Sequence, residues 1–212
     1  MRIALIHALR HSIDPAAEAF GRLWPEADLV NIFDDSLSAD LARAGQLTPA
    51  MTERFLLLAR YAVDNGANGI LFTCSAFGPC IEACKAALTP LPVLTPNEAM
   101  IDEAIASGGP IGLLATFGPT LDTMPAEFTA IAPAIEIVPQ LAEGALAALN
   151  AGDTARHDQL AAQAASGLQQ CKVIALAQFS LARAAPAVAA ASGLPVLTTP
   201  DSAVKRLRSL LG

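Results

Sequence analysis

The tetrapeptide Pro92-Val93-Leu94-Thr95 recurs along the chain as Pro195-Val196-Leu197-Thr198. Each copy follows an apolar run by a similar distance: Cys74 lies 18 residues before the first copy, and Gln178 lies 17 residues before the second. The period of about one hundred residues is longer than the 20 to 50 residues of a solenoid repeat. The repeat therefore predicts two lobes of similar plan, one with a cysteine where the other has a glutamine.

Apolar, β-branched runs alternate with alanine-rich helical segments along the whole chain. This alternation, with strands that are continuously apolar, is typical of parallel sheets covered by helices on both faces. The predicted strands are Ile3–His7, Asp28–Ile32, Gly69–Thr73, Val93–Leu94, Ile111–Ala115, Ile135–Val138, Val173–Ala177 and Val196–Leu197. The predicted helices are Pro15–Leu23, Thr48–Asn65, Ala76–Ala87, Ala99–Ser107, Leu121–Ala132, Ala142–Ala148, Thr154–Gln169, Ala182–Ser192 and Ser202–Leu211.

The predicted fold class is α/β, with two pseudo-symmetric lobes that each hold a short parallel sheet flanked by helices. We expect residues 1–97 to form the N-terminal lobe and residues 98–198 to form the second lobe. The C-terminal helix, residues 199–212, is expected to pack on the first lobe. A chain of 212 residues has room for two small domains of this kind.

Composition restricts the partners of the chain. Hydrophobic residues make up 53% and charged residues 16%, which argues against disorder. The net charge of −7 disfavours nucleic acid, since backbone binding needs a basic face. No apolar run reaches the roughly 18 residues of a membrane span, and the N-terminus lacks the pattern of a signal peptide. We therefore expect a cytoplasmic protein with a small-molecule partner and no membrane partner; a homodimer or larger homo-oligomer is compatible with the sequence.

The four cysteines do not form a metal-binding pattern. Cys80 and Cys84 would share one helix face, but neither a CxxC pair nor a nearby histidine accompanies them. No metal or other cofactor is expected. Cys80, Cys84 and Cys171 are interpreted as small buried hydrophobic residues in a reducing compartment.

Ligands of parallel α/β sheets bind beyond the carboxyl ends of the strands. Small hydroxylated residues dominate these positions, and such groups suit a carboxylate or a developing oxyanion. The segments concerned are 7–12, 73–78, 95–97, 116–120, 178–180 and 198–200. His7 and His11 follow the first strand, where either could serve as an acid or as an ordinary hydrogen-bonding side chain. Asp34-Asp35 follow the second strand and could be acid–base partners or solvated loop residues.

Cys74 lies between a predicted strand and a predicted helix, with Ser75 as the expected N-cap. The helix dipole and nearby N–H groups would lower the pKa of the thiol. A thiolate at this position could act as a base towards a carbon acid or as a nucleophile. The alternative is an inert, buried cysteine.

The chain resembles the aspartate/glutamate racemase superfamily, which includes hydantoin racemases, maleate isomerases and arylmalonate decarboxylases. The resemblance covers essentially the whole chain. It rests on the two similar halves, Phe72-Thr73-Cys74-Ser75, Leu114-Ala115-Thr116 and the closing segment Val196–Val204. It implies two lobes with the site in the cleft between them.

By this resemblance, racemases use two facing cysteines, and these correspond to Cys74 and Gln178 here. A glutamine is neither acid nor base at neutral pH, so the two-thiol mechanism is not expected. Cys171 cannot replace it, because it lies at the beginning of the strand, several residues away from the site at the strand's other end. Arylmalonate decarboxylases keep only the second-half cysteine, as a proton donor, and maleate isomerases use the first-half cysteine as a nucleophile. The residues implied to bind substrate are His7, Thr73, Ser75, Thr116, Phe179 (through its N–H) and Ser180.

The resulting prediction is a cofactor-independent isomerase of the racemase superfamily that acts on a small carboxylate, such as an amino acid or a dicarboxylate. Cys74 would be its acid–base group or nucleophile. Two alternatives stay open: a decarboxylase of a malonate-like acid, and a non-catalytic relative that binds carboxylates.

Overall fold

The structure is a computed structural model that describes all 212 residues. Its strands are β1 (Arg2–His7), β2 (Asp28–Phe33), β3 (Gly69–Phe72), β4 (Val93–Leu94), β5 (Ile111–Ala115), β6 (Ile137–Leu141), β7 (Val173–Leu176) and β8 (Val196–Thr198). Its α-helices are α1 (Ile13–Leu23), α2 (Ser36–Ala44), α3 (Pro49–Asp64), α4 (Gly78–Leu88), α5 (Glu98–Ser107), α6 (Gly118–Ile131), α7 (Ala145–Asn150), α8 (Thr154–Ala165), α9 (Ala185–Ser192) and α10 (Thr199–Leu211).

The strands form two parallel four-stranded sheets with the same topology. The first has the order β2-β1-β3-β4 and the second has the order β6-β5-β7-β8. In both sheets the two inner strands are buried along almost their whole length, whereas the outer strands β2 and β6 are partly exposed. The predicted α/β class, with short parallel sheets flanked by helices, is confirmed.

The chain divides into two compact units. The first lobe comprises Met1–Glu98 and Ala203–Gly212, and the second lobe comprises Ala99–Ser202. Helix α10 starts in the second lobe, and its later residues belong to the first. There Leu207 and Leu211 lie against Gly69 of β3, where an added Cβ would come within 3.0 Å of the Leu211 side chain. The absence of a side chain at Gly69 is thus what lets α10 approach the first sheet.

Each lobe has its own apolar core. In the first lobe, Phe55 of α3 stacks on Phe72 of β3 and also contacts the ring of Phe77, with centroid distances of 5.4 and 4.8 Å. In the second lobe, α8 and α9 contribute to the core on one face of the sheet, and Met124 and Phe128 of α6 to the core on the other. Burial of each large side chain stabilises the fold by about 1.5–3 kcal/mol.

The structure corrects several predicted elements. The sequence does not predict helix α2. The Arg54 guanidinium holds this helix by pairing with Asp34, which lies just before it, and with Asp40 in its middle. Strand β6 runs through Pro139, where we expected it to end at Val138. Proline is tolerated there because β6 is an edge strand. None of the ten helices combines the length and the apolar character that a membrane crossing requires.

Candidate functional site

Cys74 and Gln178 occupy equivalent positions in the two sheets. Each lies two residues beyond the end of an inner strand, Cys74 after β3 and Gln178 after β7. Both have extended backbones and directly precede a 3-10 helix, Ser75–Phe77 in the first lobe and Phe179–Ala184 in the second. The predicted repeat is therefore present in the local geometry of the strand ends.

The Cys74 side chain is half-buried and packs against the apolar core of the first lobe. Burial raises the pKa of its thiol above the ordinary value of 9.0, and the backbone N–H of Ala76 offsets this only in part. The expected lowering of the pKa is therefore wrong in direction. The physical reason is the position of α4: it starts at Gly78 with Phe77 as its N-cap, so Ser75 does not cap it and its positive end lies beyond a 3-10 turn.

His7 is the last residue of β1 and is completely buried, not a loop residue. Its Nε2 lies 2.9 Å from the Asn31 Oδ1, and its Nδ1 lies 2.9 Å from the Thr73 hydroxyl and 3.0 Å from the Ser12 hydroxyl. The Ser12 hydroxyl also donates to the Leu9 carbonyl at 2.7 Å. These contacts join the end of β1 to β2, to the residue after β3 and to the start of α1.

The hydrogen-bond partners determine which nitrogen of His7 carries the proton. The Asn31 oxygen can only accept, so Nε2 must donate to it. Burial lowers the pKa of His7 below its ordinary value of 6.5, although the Asn31 contact acts in the opposite direction. The ring is therefore neutral at neutral pH. Its Nδ1 accepts a hydrogen bond from the Thr73 hydroxyl, because the single Ser12 proton is donated to the Leu9 carbonyl.

Gln178 is held by two threonines of the second lobe. Its Oε1 accepts from the Thr116 backbone N–H at 2.9 Å and from the Thr116 hydroxyl at 3.2 Å. Its Nε2 donates to the Thr120 hydroxyl at 3.4 Å. Thr116 directly follows β5 and is buried, and Thr120 lies in the first turn of α6. The glutamine thus ties the end of β7 to the segment that joins β5 to α6.

The remaining candidates differ in exposure. Ser75 is exposed, Ser180 is half-buried and Phe179 is buried. Thr73 is also buried, and its hydroxyl contacts His7 and Ser12. The roles of these residues and of His7 and Thr116 in binding a substrate stay predictions.

Two other candidate groups have structural environments. His11 is exposed on the surface of the first lobe. Burial opposes ionisation of Asp34, but hydrogen bonds from Ser36 and the Arg54 guanidinium outweigh it and lower its pKa. These contacts fix α2 to α3 and favour the reading of Asp34 as a structural residue.

Sequence reasoning did not single out Asn31, Ser12 or Thr120 as partners of the site. Ser12 and Thr120 lie within the segments that follow predicted strands, whereas Asn31 is in the middle of a strand. Their contacts join elements that are distant in sequence, with separations of 24 residues for His7–Asn31 and 58 for Thr120–Gln178. The sequence shows which residues have a hydroxyl or an amide oxygen, but it does not show which residues these groups contact in the folded chain.

Solved structures of similar fold include racemases and a decarboxylase. Allantoin racemase from Klebsiella pneumoniae has a TM-score of 0.75 at 16% identity, covering 100% of this chain and 87% of that chain. Glutamate racemase from Francisella tularensis in complex with D-glutamate has a TM-score of 0.71 at 14% identity, covering 99% and 80%. Unliganded arylmalonate decarboxylase has a TM-score of 0.66 at 20% identity, covering 100% and 92%.

At these identities the structural likeness shows the fold alone. No curated protein matches the chain significantly in sequence. The profile of the Asp/Glu/Hydantoin racemase family, however, matches residues 13–207, which is nearly the entire chain and includes both strand-end positions. The chain therefore belongs to the Asp/Glu/Hydantoin racemase family.

Proposed function

We propose that the chain is a cofactor-independent isomerase or lyase that acts on a small carboxylate through the thiol of Cys74. Family membership supports an enzyme of this general kind, since racemases and a decarboxylase are among the structural neighbours. Hydroxyl groups and backbone N–H groups around the strand ends suit the recognition of a carboxylate oxygen.

The observation that carries the proposal is the difference between the two equivalent strand-end positions. Cys74 offers a titratable thiol, which can donate a proton, accept one or attack carbon. Gln178 offers a carboxamide that is bound to Thr116 and Thr120 and does not exchange protons with carbon at neutral pH. A single acid–base group serves the reaction, so racemisation by two thiols is not part of the proposal.

The raised pKa of Cys74 favours proton donation. At neutral pH the thiol is protonated, and an anionic ligand nearby raises its pKa further, because two like charges disfavour each other. A protonated thiol suits the delivery of a proton to a carbanion better than the removal of one. The same property disfavours the nucleophilic role, which requires a thiolate.

This direction of the pKa gives specific support to the lyase form. In that reaction the bond between the α-carbon and one carboxylate of a malonate-like acid breaks, and carbon dioxide leaves. The bonding electron pair stays on the substrate as an enediolate. The S–H proton of Cys74 then forms the new C–H bond, and the thiolate regains a proton from water, so atoms and charge balance.

A screen in heavy water tests the proposal. The purified chain is incubated with panels of malonates, amino acids and cis-dicarboxylates, and proton NMR follows deuterium incorporation, isomerisation and loss of carbon dioxide. We expect turnover of at least one class by the unmodified chain. Turnover of none of them, together with binding of a carboxylate, would favour the non-catalytic alternative.

The thiol can also be tested without a substrate. Cys74 is the half-buried member of the four cysteines, and the other three are buried. Iodoacetamide should therefore modify Cys74 before Cys80, Cys84 and Cys171. The pH dependence of that modification should give a pKa above 9.0 in the ligand-free chain. A pKa well below that value would instead support a thiolate nucleophile.

A further inference from the structure

The carboxamide oxygen of Gln178 accepts two hydrogen bonds from one residue, Thr116. Its Oε1 receives the Thr116 backbone N–H at 2.9 Å and the Thr116 hydroxyl at 3.2 Å. A backbone N–H can only donate, so the amide atom beside it must be the oxygen and not the nitrogen. The orientation of the carboxamide therefore follows from the chemistry of its partner.

A backbone N–H and a hydroxyl that converge on one oxygen form the kind of donor pair with which proteins hold a carboxylate or an oxyanion. Thr116 keeps only 7% of its surface exposed, so its donors are largely withdrawn from water. Buried donors of this kind need a partner, because an unpaired one costs about 1–3 kcal/mol. Gln178 supplies that partner from within the chain, and it is uncharged.

The first lobe has no counterpart of this arrangement. The sheet registers pair Ile6 with Phe72 and Leu114 with Leu176, so the residue equivalent to Thr116 is Ala8. Ala8 has no side-chain donor, and Cys74 beside it has no carboxamide. The contact between Thr116 and Gln178 is thus a property of the second lobe and not of the repeated plan.

We propose that Gln178 closes an anion-binding site of the second lobe with its own carboxamide oxygen. The Thr116 N–H and hydroxyl are then occupied and cannot bind an anion. The donor that the second lobe offers to a ligand is instead the neutral amide group of Gln178, through its Nε2. This inference rests on the proposed function only in taking the ligand to be a small carboxylate. It restricts the substrate class: the group recognised at Gln178 is an uncharged acceptor, such as a carbonyl, and not a carboxylate.

Substitution of Gln178 can show whether the Thr116 donors form an anion-binding site that the glutamine occupies, or whether no such site exists. In Gln178→Gly, the Thr116 N–H and hydroxyl lose their internal acceptor and become available to an anion. In Gln178→Glu, a side chain of equal length keeps an oxygen on the same donors and adds a negative charge. The glycine variant should therefore open the site, and the glutamate variant should keep it closed.

The test is a titration of the full-length, 15N-labelled chain with acetate, followed through the backbone amide signal of Thr116. We expect the Thr116 signal of the unmodified chain and of Gln178→Glu to stay in place. In Gln178→Gly the Thr116 signal should shift until it saturates. The affinity for acetate should be on the order of tenfold to a hundredfold higher than that of the unmodified chain, as expected for hydrogen bonds to a charged group. Gln178→Ala provides the same opening if the glycine variant does not fold.

Two results would overturn the inference. One is a Thr116 signal that responds to acetate as strongly in the unmodified chain as in Gln178→Gly. The other is a folded glycine or alanine variant whose Thr116 signal does not respond at all. The titration needs no turnover, so its outcome is independent of whether Cys74 catalyses a reaction, and a failure of the proposed function would leave this result intact.

Discussion

The two lobes share a sheet topology, but the polar side chains of the second lobe lie one residue further along the chain than those at the equivalent strand ends of the first. In the first lobe the neighbouring pair at the strand ends is His7 and Thr73, whereas the register of the second lobe brings Ala115 beside Ala177. Both pairs are buried. At the next position the pattern reverses, since the first lobe has Ala8 and Cys74 and the second has Thr116 and Gln178.

This difference separates two tasks that one fold can serve. In the first lobe, the polar pair at the strand ends is hydrogen-bonded internally, through the His7 ring and the Thr73 hydroxyl. One residue further along, the thiol of Cys74 packs against apolar side chains. In the second lobe, the pair at the strand ends is apolar, Ala115 and Ala177. One residue further along, the side chains of Thr116 and Gln178 form hydrogen bonds with each other. We interpret the first lobe as the source of the chemistry and the second as a source of fixed hydrogen bonds.

The largest expected effect comes from removing the thiol. Cys74→Ala should lower turnover by on the order of 10²- to 10⁴-fold, the usual contribution of a positioned acid or base. Thermal unfolding should change little, because the side chain is small and half-buried. Steady-state kinetics on the substrate found in the heavy-water screen measure the effect.

The matched control is Cys171→Ala, which removes a buried thiol before β7. Its turnover should stay close to that of the unmodified chain. An equal loss in both variants would show that the chemistry has been assigned to the wrong thiol.

A smaller effect is expected when the first lobe is made to resemble the second. His7→Ala leaves the buried Thr73 and Ser12 hydroxyls without the ring nitrogen and should cost about 2–4 kcal/mol of unfolding free energy. The double variant with Thr73→Ala reproduces the Ala115–Ala177 pair. It should lose less than the sum of the single variants, by about 1–2 kcal/mol, because the two side chains are in direct contact.

Urea unfolding of the four species measures this coupling. Ser75→Ala, which removes an exposed hydroxyl next to Cys74, is the control and should stay within about 0.5 kcal/mol of the unmodified chain. Strictly additive losses in the cycle would mean that the His7–Thr73 hydrogen bond does not contribute to the stability of the first lobe.

The smallest expected effect is a dependence of stability on pH. His7 has a pKa below 6.5 in the folded chain because it is buried among the neutral groups of Asn31, Ser12 and Thr73. As the pH falls below 6.5, the unfolded chain takes up a proton that folded His7 resists, so stability decreases, by at most about 1.4 kcal/mol per pH unit.

Replacement of His7 by glutamine should remove this slope, and His11→Ala, an exposed histidine, should keep it. The carboxylates Asp34 and Asp158 have lowered pKa values. The stabilisation that these two carboxylates contribute is fully present above pH 3.8 and is lost as the pH falls below that value. This pH range is separate from the range in which His7 acts. A slope between pH 6.5 and 5 that survives in the His7→Gln variant would contradict the assignment.

Much of the architecture could be predicted from local pattern. The apolar runs that became β1, β3, β5 and β7 are continuous and β-branched, and the structure places a strand on each. Helix α2 was missed because its apolar face is narrow, with Leu37 and Leu41 as its main core contacts and polar or small residues elsewhere. Gly45, with a φ of 69°, ends that helix in the left-handed conformation and was a usable signal.

The chemistry of the strand ends was less predictable. Sequence position identified Cys74 and Gln178 as equivalent, since both follow apolar runs at matched spacing. The direction of the Cys74 pKa could not be read in the same way, because it depends on how deeply the thiol is packed and on where α4 starts. The His7 network depends on three elements that meet only in the folded chain.

The central claim is that, of the two equivalent positions after β3 and β7, only the first holds an acid–base group, the thiol of Cys74. The most direct test is incubation of the unmodified chain in heavy water with its substrate and with glutamate and aspartate, followed by NMR and chiral separation. We predict that deuterium enters the α-carbon of the substrate's product with one handedness and that neither amino acid is racemised. Rapid racemisation of glutamate or aspartate by the unmodified chain would contradict the claim, because a second acid would then be required.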